Sequence, residues 1–217
     1  MPNLSRNRYR FLETDLRINN DYAYHALAID EHRKDFTPTL WTRPKESTVA
    51  PRHIEDVEQR WFVGAHANVG GGYRGDLLAQ LPLKWLMSKA RQHGLTFRSE
   101  VELDGDLSAA PIIDSYGEFM YGLYKYWPLS RRYYRPINMA TTINETIDSS
   151  VANRWRQDKN YRPQNLVDWA ERQNITIESL MNTVGSGVIY DPTTIPFGLI
   201  SHLKWFQTEV ILFTAPL

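Results

Sequence analysis

Gln59-Arg60-Trp61-Phe62-Val63-Gly64-Ala65-His66-Ala67-Asn68-Val69-Gly70-Gly71-Gly72-Tyr73 is the stretch on which the reading of this 217-residue chain turns. Trp61, Phe62 and Val63 are β-formers in a short apolar run, the pattern of a strand covered on both faces. Gly64 and Ala65 shrink the side chains ahead of His66 and leave room for close approach to the backbone. Gly70, Gly71 and Gly72 admit backbone angles closed to other residues. The expectation is a buried strand over 60–66 that ends on a histidine and passes into a tight glycine turn. Open α/β sheets place their catalytic groups at such strand ends.

Upstream, Tyr22-Ala23-Tyr24-His25-Ala26-Leu27-Ala28-Ile29 reads as an earlier strand that runs into Asp30-Glu31-His32-Arg33. Residues 34–58, with Pro38, Pro44 and Pro51, read as a long irregular connection with a helical turn near 54–58; loops of that length often belong to a site. Downstream, Leu83, Leu86, Met87 and Ala90 fall on one face of a 3.6-residue period. Pro82 suits the first helical position and His93-Gly94 the stop. Strand, glycine turn and helix make half of an α/β unit. Beyond it, 114–126 is aromatic-rich and expected to be helical, with a break at Pro128. Ile143 to Arg156 reads as a short helix, and 166–172 and 177–181 as weaker helical patches. The tail from Gly185 alternates turns with apolar segments and ends on Val210-Ile211-Leu212-Phe213. Residues 1–21 are a polar lead-in.

Lys+Arg and Asp+Glu both number 25, so nothing calls for a polyanionic partner and nucleic-acid binding is disfavoured. With no cysteine, these residues offer neither thiol catalysis nor a disulfide. The first residues carry no apolar core, so no signal peptide is expected and the chain is expected to be cytoplasmic as made. No uninterrupted apolar window is long enough to suggest a transmembrane helix.

If the two strands are parallel neighbours, Asp30 and His66 lie at the same carboxyl edge. A carboxylate facing an imidazole fixes its tautomer and supports its protonated form. Asp30 is therefore the candidate acid and His66 the candidate base. Glu31 is the next-best acid, its side chain directed to the opposite face if the strand persists. The plainer reading, a satisfied strand-end histidine beside a turn-capping aspartate, stays open on spacing alone. Acyl transfer by this route needs a serine on a Gly-x-Ser-x-Gly turn, and the 217 residues hold none. Gly185-Ser186-Gly187 lacks that spacing. No Gly-Lys-Ser/Thr follows Gly72, so the turn is not a phosphate loop. His25, His32, His53 and His66 form no His-x-x-x-His pair, so no metal is expected, and no cofactor either. The run from Tyr124-Lys125-Tyr126-Trp127 to Arg135 suits a phosphate grip, a lipid surface or a partner-facing surface.

The segment Tyr24 to Arg33, then Phe36, Pro38 and Trp41, then Trp61 to Tyr73, resembles the C-terminal half of one family of α/β-hydrolase-like domains. That family, long without a known function, includes the phospholipase effectors of type VI secretion, the first lipase-effector class. Asp76-Leu77-Leu78, Trp85-Leu86-Met87, Ser150-Val151, Arg154 and Tyr161-Arg162-Pro163-Gln164-Asn165-Leu166 extend the resemblance over about residues 12–167. It implies a partial α/β-hydrolase-like sheet, its C-terminal strands with peripheral helices. It also implies a Ser-Asp-His triad acting on esters of phospholipids, with His66 as the base. Gly64, Asn68, Gly70, Gly71 and Gly72 would shape the loop; many members carry Asp where Asn68 stands. The expected division is a lead-in over 1–21, the hydrolase-like part over 22–167 and a tail over 168–217. The expected function is the C-terminal part of a serine-dependent lipase or esterase, inactive without a nucleophile from elsewhere. Its expected partner is a serine-bearing N-terminal half, or another protein, at the exposed sheet edge. The alternative is a non-catalytic interaction module from a shortened paralogue. The resemblance also implies delivery as a secreted effector.

Overall fold

In the computed structural model of the chain, residues 16, 20–42, 52–126, 131–139 and 141–185 are described. Most of the lead-in, the expected break at Pro128, the Ser186-Gly187 turn and the terminal run 210–213 lie outside them. Three parallel strands form one sheet in the order β1 (Ala23–Ala28), β2 (Val57–Phe62), β3 (Glu145–Ile147). Ala28 pairs with Phe62, so β1 and β2 end level and their loops leave from the same edge. Around the sheet lie α1 (His66–Gly70), α2 (Gln80–Gln92), α3 (Ser115–Glu118), α4 (Ser149–Gln157), α5 (Gln164–Arg172) and α6 (Ile177–Gly185). Short 3-10 stretches occupy Lys34–Phe36 and Phe119–Tyr126.

Alternation along the strands sends successive side chains to opposite faces. On one face, Leu27 and Trp61, extended by Ile29 and Val63, meet Val151, Ala152, Trp155, Leu166, Trp169, Leu180 and Met181 in the main core. Burying each large apolar side chain of this set contributes about 1.5–3 kcal/mol, so this face carries most of the apolar stabilisation. α5 runs across the boundary expected at residue 167, and α6 packs in this same core. On the other face Tyr24 and Phe62 meet Trp85 of α2. Helices thus cover both faces, which makes this a small parallel α/β arrangement.

β1, β2 and α2 lie near where the sequence suggested, while β3, α1 and the kinked stretch Phe119–Tyr126 do not follow it. β2 stops at Phe62, and His66 opens α1 where the sequence suggested a strand end. α2 begins at Gln80, so Pro82 sits in the first turn, where a missing N–H is still harmless. Its buried face centres on Trp85 and Pro82, with Leu83 exposed. The stop is as expected: His93 caps α2, and Gly94 is left-handed at φ 88°. The helix expected from Ile143 is a strand, Glu145–Ile147, followed by α4, whose N-cap Asp148 accepts from Ser150 N at 2.9 Å.

Between β2 and α1 the chain turns on Gly64, at φ 114°. A Cβ there would lie 2.6 Å from the Cβ of Asn68. Of the glycine run only Gly71, at φ 76°, is left-handed; it closes α1, while Gly70 is the last helical residue and Gly72 has no positive φ. Gly64→Ala combines a disfavoured φ with a backbone-adjacent clash, and the expected loss is about 3 kcal/mol. Urea unfolding of the two proteins checks this; a loss below about 0.5 kcal/mol, the scatter of a neutral surface change, rules it out.

Candidate active site

β1 ends at Ala28, and Ile29-Asp30 turn. Asp30 and Gly64 then clamp the two strand ends together: Asp30 N donates to Gly64 O at 3.1 Å, and Gly64 N donates to Asp30 Oδ2 at 2.7 Å. Tyr161 Oη donates to the same Oδ2 at 3.1 Å. The Asp30 carboxylate is therefore spent on Gly64 and Tyr161, and the structure does not bring it to His66. This departs from the expected Asp30–His66 pair. Strand parity would have sent Glu31 away from His66, but parity lapses once the chain turns at Ile29.

Glu31 takes the position instead. It is fully buried, and its Oε2 lies 2.6 Å from His66 Nδ1. A carboxylate only accepts, so Nδ1 carries the proton and Nε2 keeps the lone pair. Among the described residues nothing hydrogen-bonds Nε2, and the His66 side chain is 40 % exposed. The other side-chain and Arg33 bonds to Glu31 come from Arg33 N at 2.9 Å, Arg33 Nε at 3.0 Å, Arg33 Nη2 at 3.2 Å and Ser115 Oγ at 2.7 Å. Arg33 Nη2 also lies 3.1 Å from His66 Nδ1; since both groups donate, the guanidinium serves the carboxylate and not the ring.

The two neighbouring acids differ sharply. Burial pushes the Asp30 carboxyl up to about 6, against the bonds from Gly64 and Tyr161. Burial alone would raise Glu31 too, but Arg33, Ser115 and His66 together bring it down to about 2. Glu31 is thus an anion at neutral pH, as a carboxylate that orients an imidazole must be.

Asn68 braces this turn. Its Oδ1 accepts from Ala65 N at 3.1 Å and Ile113 N at 3.2 Å, and its Nδ2 donates to Asp76 Oδ2 at 2.7 Å. An aspartate in place of Asn68 would set one carboxylate against another, so asparagine suits a chain with Asp76 opposite. The ring of Phe36 lies 4.7 Å from that of His66. The Arg33 guanidinium is sandwiched between Phe36, at 3.9 Å, and Phe119, at 4.4 Å. Sequence reading missed Arg33 and Ser115. Arg33 had a local signal, a cation two residues after an acid; Ser115 had none, for it lies 84 positions from Glu31. Among the described residues no group of three or more His, Asp or Glu is placed to hold a metal.

A small parallel α/β sheet thus carries a carboxylate–imidazole pair at its carboxyl edge. Residues 1–89 match the family model of the type VI secretion phospholipase effectors, the Tle1-like catalytic domain. The match spans Asp30, Glu31, His66 and the glycine run and reaches into α2, so the resemblance read in the sequence holds over these residues. Neither a curated protein nor a solved structure matches the chain.

The raised Asp30 carboxyl has a consequence for stability. Unfolded, an aspartate titrates near 3.9; folded, Asp30 titrates at about 6. Between those values the folded chain holds the extra proton, so the contribution of Asp30 is full below about 4 and is lost as pH rises through 6. An asparagine in its place would keep an oxygen for Gly64 and Tyr161 without the charge. Asp30→Asn is expected to gain on the order of 2 kcal/mol over the wild type between pH 4.5 and pH 8. Urea midpoints of both proteins at the two pH values test this, and an unchanged difference would refute it.

Proposed function

We propose that this chain carries the acid–base part of a serine-dependent lipase or esterase site, with His66 as general base and Glu31 as the carboxylate that orients it. The 2.6 Å contact from Glu31 to His66 Nδ1 is the observation that supports it, because it leaves Nε2 as the proton acceptor. A serine hydroxyl beside Nε2 would pass its proton to the ring as its oxygen attacks the ester carbonyl. The ring, steadied by Glu31, would then return that proton to the leaving alcohol. Asp30 would serve the site indirectly, by clamping the loops that carry Glu31 and His66.

The serine would come from a Gly-x-Ser-x-Gly turn, which these 217 residues lack. β1 favours a place for it. Ala23 N and Ile29 N bond to the β2 side, so the backbone groups of Tyr24, Ala26 and Ala28 face outward. Arg135 Nη1 takes the Ala28 carbonyl at 2.7 Å, and no strand pairs with this edge among the described residues. A parallel strand added there would deliver its C-terminal turn to the edge where Glu31 and His66 stand. The family match supports phospholipid esters as substrates and type VI secretion as the delivery route. No helix among the described residues is long and apolar enough to cross a membrane.

The test combines the chain with a separately expressed family segment that bears Gly-x-Ser-x-Gly and follows short-chain ester and phospholipid hydrolysis. Turnover is expected only in the combination. His66→Ala is expected to abolish it, Glu31→Gln to lower it by ~10²–10⁴-fold, and Asp30→Asn to leave it within about tenfold. If Asp30→Asn is the more damaging of the two, the acid assignment is wrong. His66-dependent turnover by the chain alone would show that no second segment is needed. A combination that binds at β1 without turnover would favour the non-catalytic interaction module.

A further inference from the structure

We propose that Phe119–Tyr126, together with Phe36, is a docking surface that seats the protein on a phospholipid bilayer and holds the His66 site against the lipid. The proposal deepens the lipase reading and rests on it for its biological sense, but its geometry is separate. Phe119, Met120, Tyr121, Leu123 and Tyr126 are 41 %, 56 %, 103 %, 62 % and 84 % exposed, and Phe36 is 40 % exposed. Single exposed apolar residues are ordinary on any surface; five within eight positions are a patch. No residue of this stretch is buried.

The backbone explains why the side chains point outward. Met120, Tyr121 and Gly122 take φ of 52°, 56° and 83° in succession. Two of these are non-glycine residues, and each costs about 1–2 kcal/mol in the left-handed region. The turn breaks what would be an amphipathic helix and leaves its apolar residues without a core to enter. The surface is nonetheless fixed. Tyr124 Oη donates to Asp35 Oδ2 at 2.8 Å, and the Tyr124 ring packs edge-on against Tyr116 and Phe119.

Two further observations favour a bilayer over a protein partner. The patch is amphipathic in the sense of a membrane interface, since tyrosines carry an apolar body and a polar tip. It also offers two exposed cations, Lys125 and Arg131, while Arg132 is paired with Asp114 and Arg135 is buried. This charge complements lipid phosphate. The patch is continuous with the site: Phe119, Arg33, Phe36 and His66 form one pile of planar groups from the exposed turn to the imidazole.

The experiment is flotation of the purified 217-residue chain with vesicles of phosphatidylcholine, alone or with 30 mol % phosphatidylglycerol (~30 mol % places the surface potential in the physiological range). Wild type is expected to float with both, more with the anionic vesicles at low salt. The double variant Tyr121→Ser, Leu123→Ser is expected to lose at least about tenfold in bound fraction on both, and Lys125→Glu only on the anionic vesicles. Both changes lie at exposed positions, and circular dichroism melting checks that each variant stays folded. Met120→Ser is the second probe if the double variant melts early. His66→Ala is expected to float as wild type does, which separates docking from turnover. Flotation without hydrolysis in any combination would leave docking standing and remove the lipase reading; hydrolysis of soluble esters without flotation would do the reverse. Docking is overturned if wild type does not float, if the apolar variants float equally well, or if they change only the oligomeric state.

Discussion

The buried carboxylate of Glu31 is the contact on which the rest of the site depends. Five close donors from three separate segments converge on its two oxygens: three from Arg33, one from Ser115 and one from the His66 ring. A buried anion left with fewer partners keeps its desolvation cost and loses the attraction that offsets it. The exit of β1, the start of α1 and the start of α3 therefore assemble together. The bonds also divide the work. Arg33 neutralises the charge, Ser115 occupies the oxygen turned away from the histidine, and His66 takes the remaining position at the shortest distance of the five.

Asp30 and Glu31 are adjacent in sequence and opposite in environment. Asp30 meets neutral donors, a backbone N–H and a phenol, at the edge of the apolar core, and its carboxyl rises. Glu31 meets a guanidinium and falls. Pairs of carboxyls driven apart in this way take different roles, set by surroundings and not by residue type. Asp30 makes a sound clamp in either protonation state, since its Oδ2 accepts from Gly64 and Tyr161. An ionised Glu31 suits an orienting group.

This division was only partly legible in the sequence. β1, β2 and α2 announced themselves through local signals: runs of β-formers, a proline near a helix start, His93-Gly94 at its end. β3 did not. It is three residues long, and Glu145 and Thr146 are polar. They are buried because Trp61 Nε1 donates to Glu145 and Thr146 Oγ1 donates to Glu58, partners 84 and 88 positions away. No window of sequence carries that information. His66 pairs with Glu31, one residue beyond the expected Asp30, for a related reason. Alternation is a property of extended chain, and the tertiary bond between Asp30 and Gly64 ends the extension before Glu31. Ser115 joined the site through folding alone. His66 and Gly64 were legible because a histidine behind small residues at the end of an apolar run is a local pattern.

The two faces of the sheet hold the histidine in register. One face is apolar, with Leu27 and Trp61 in the main core. The α2 face carries charge under cover: Glu58 bonds Arg60 at 2.7 Å and Thr146 at 2.6 Å, with Lys89 at 3.4 Å and Asp148 3.6 Å from Arg60. A slip of one residue in β2 would turn Glu58 and Arg60 into the tryptophan-rich core and Trp61 out among the charges. Ion pairs of this kind add little net stability against apolar replacements, but the cost of misplacing them is several kcal/mol. Because β1 and β2 end level only in this register, the network on the α2 face fixes where Gly64 turns. The turn in turn fixes His66 within reach of Glu31.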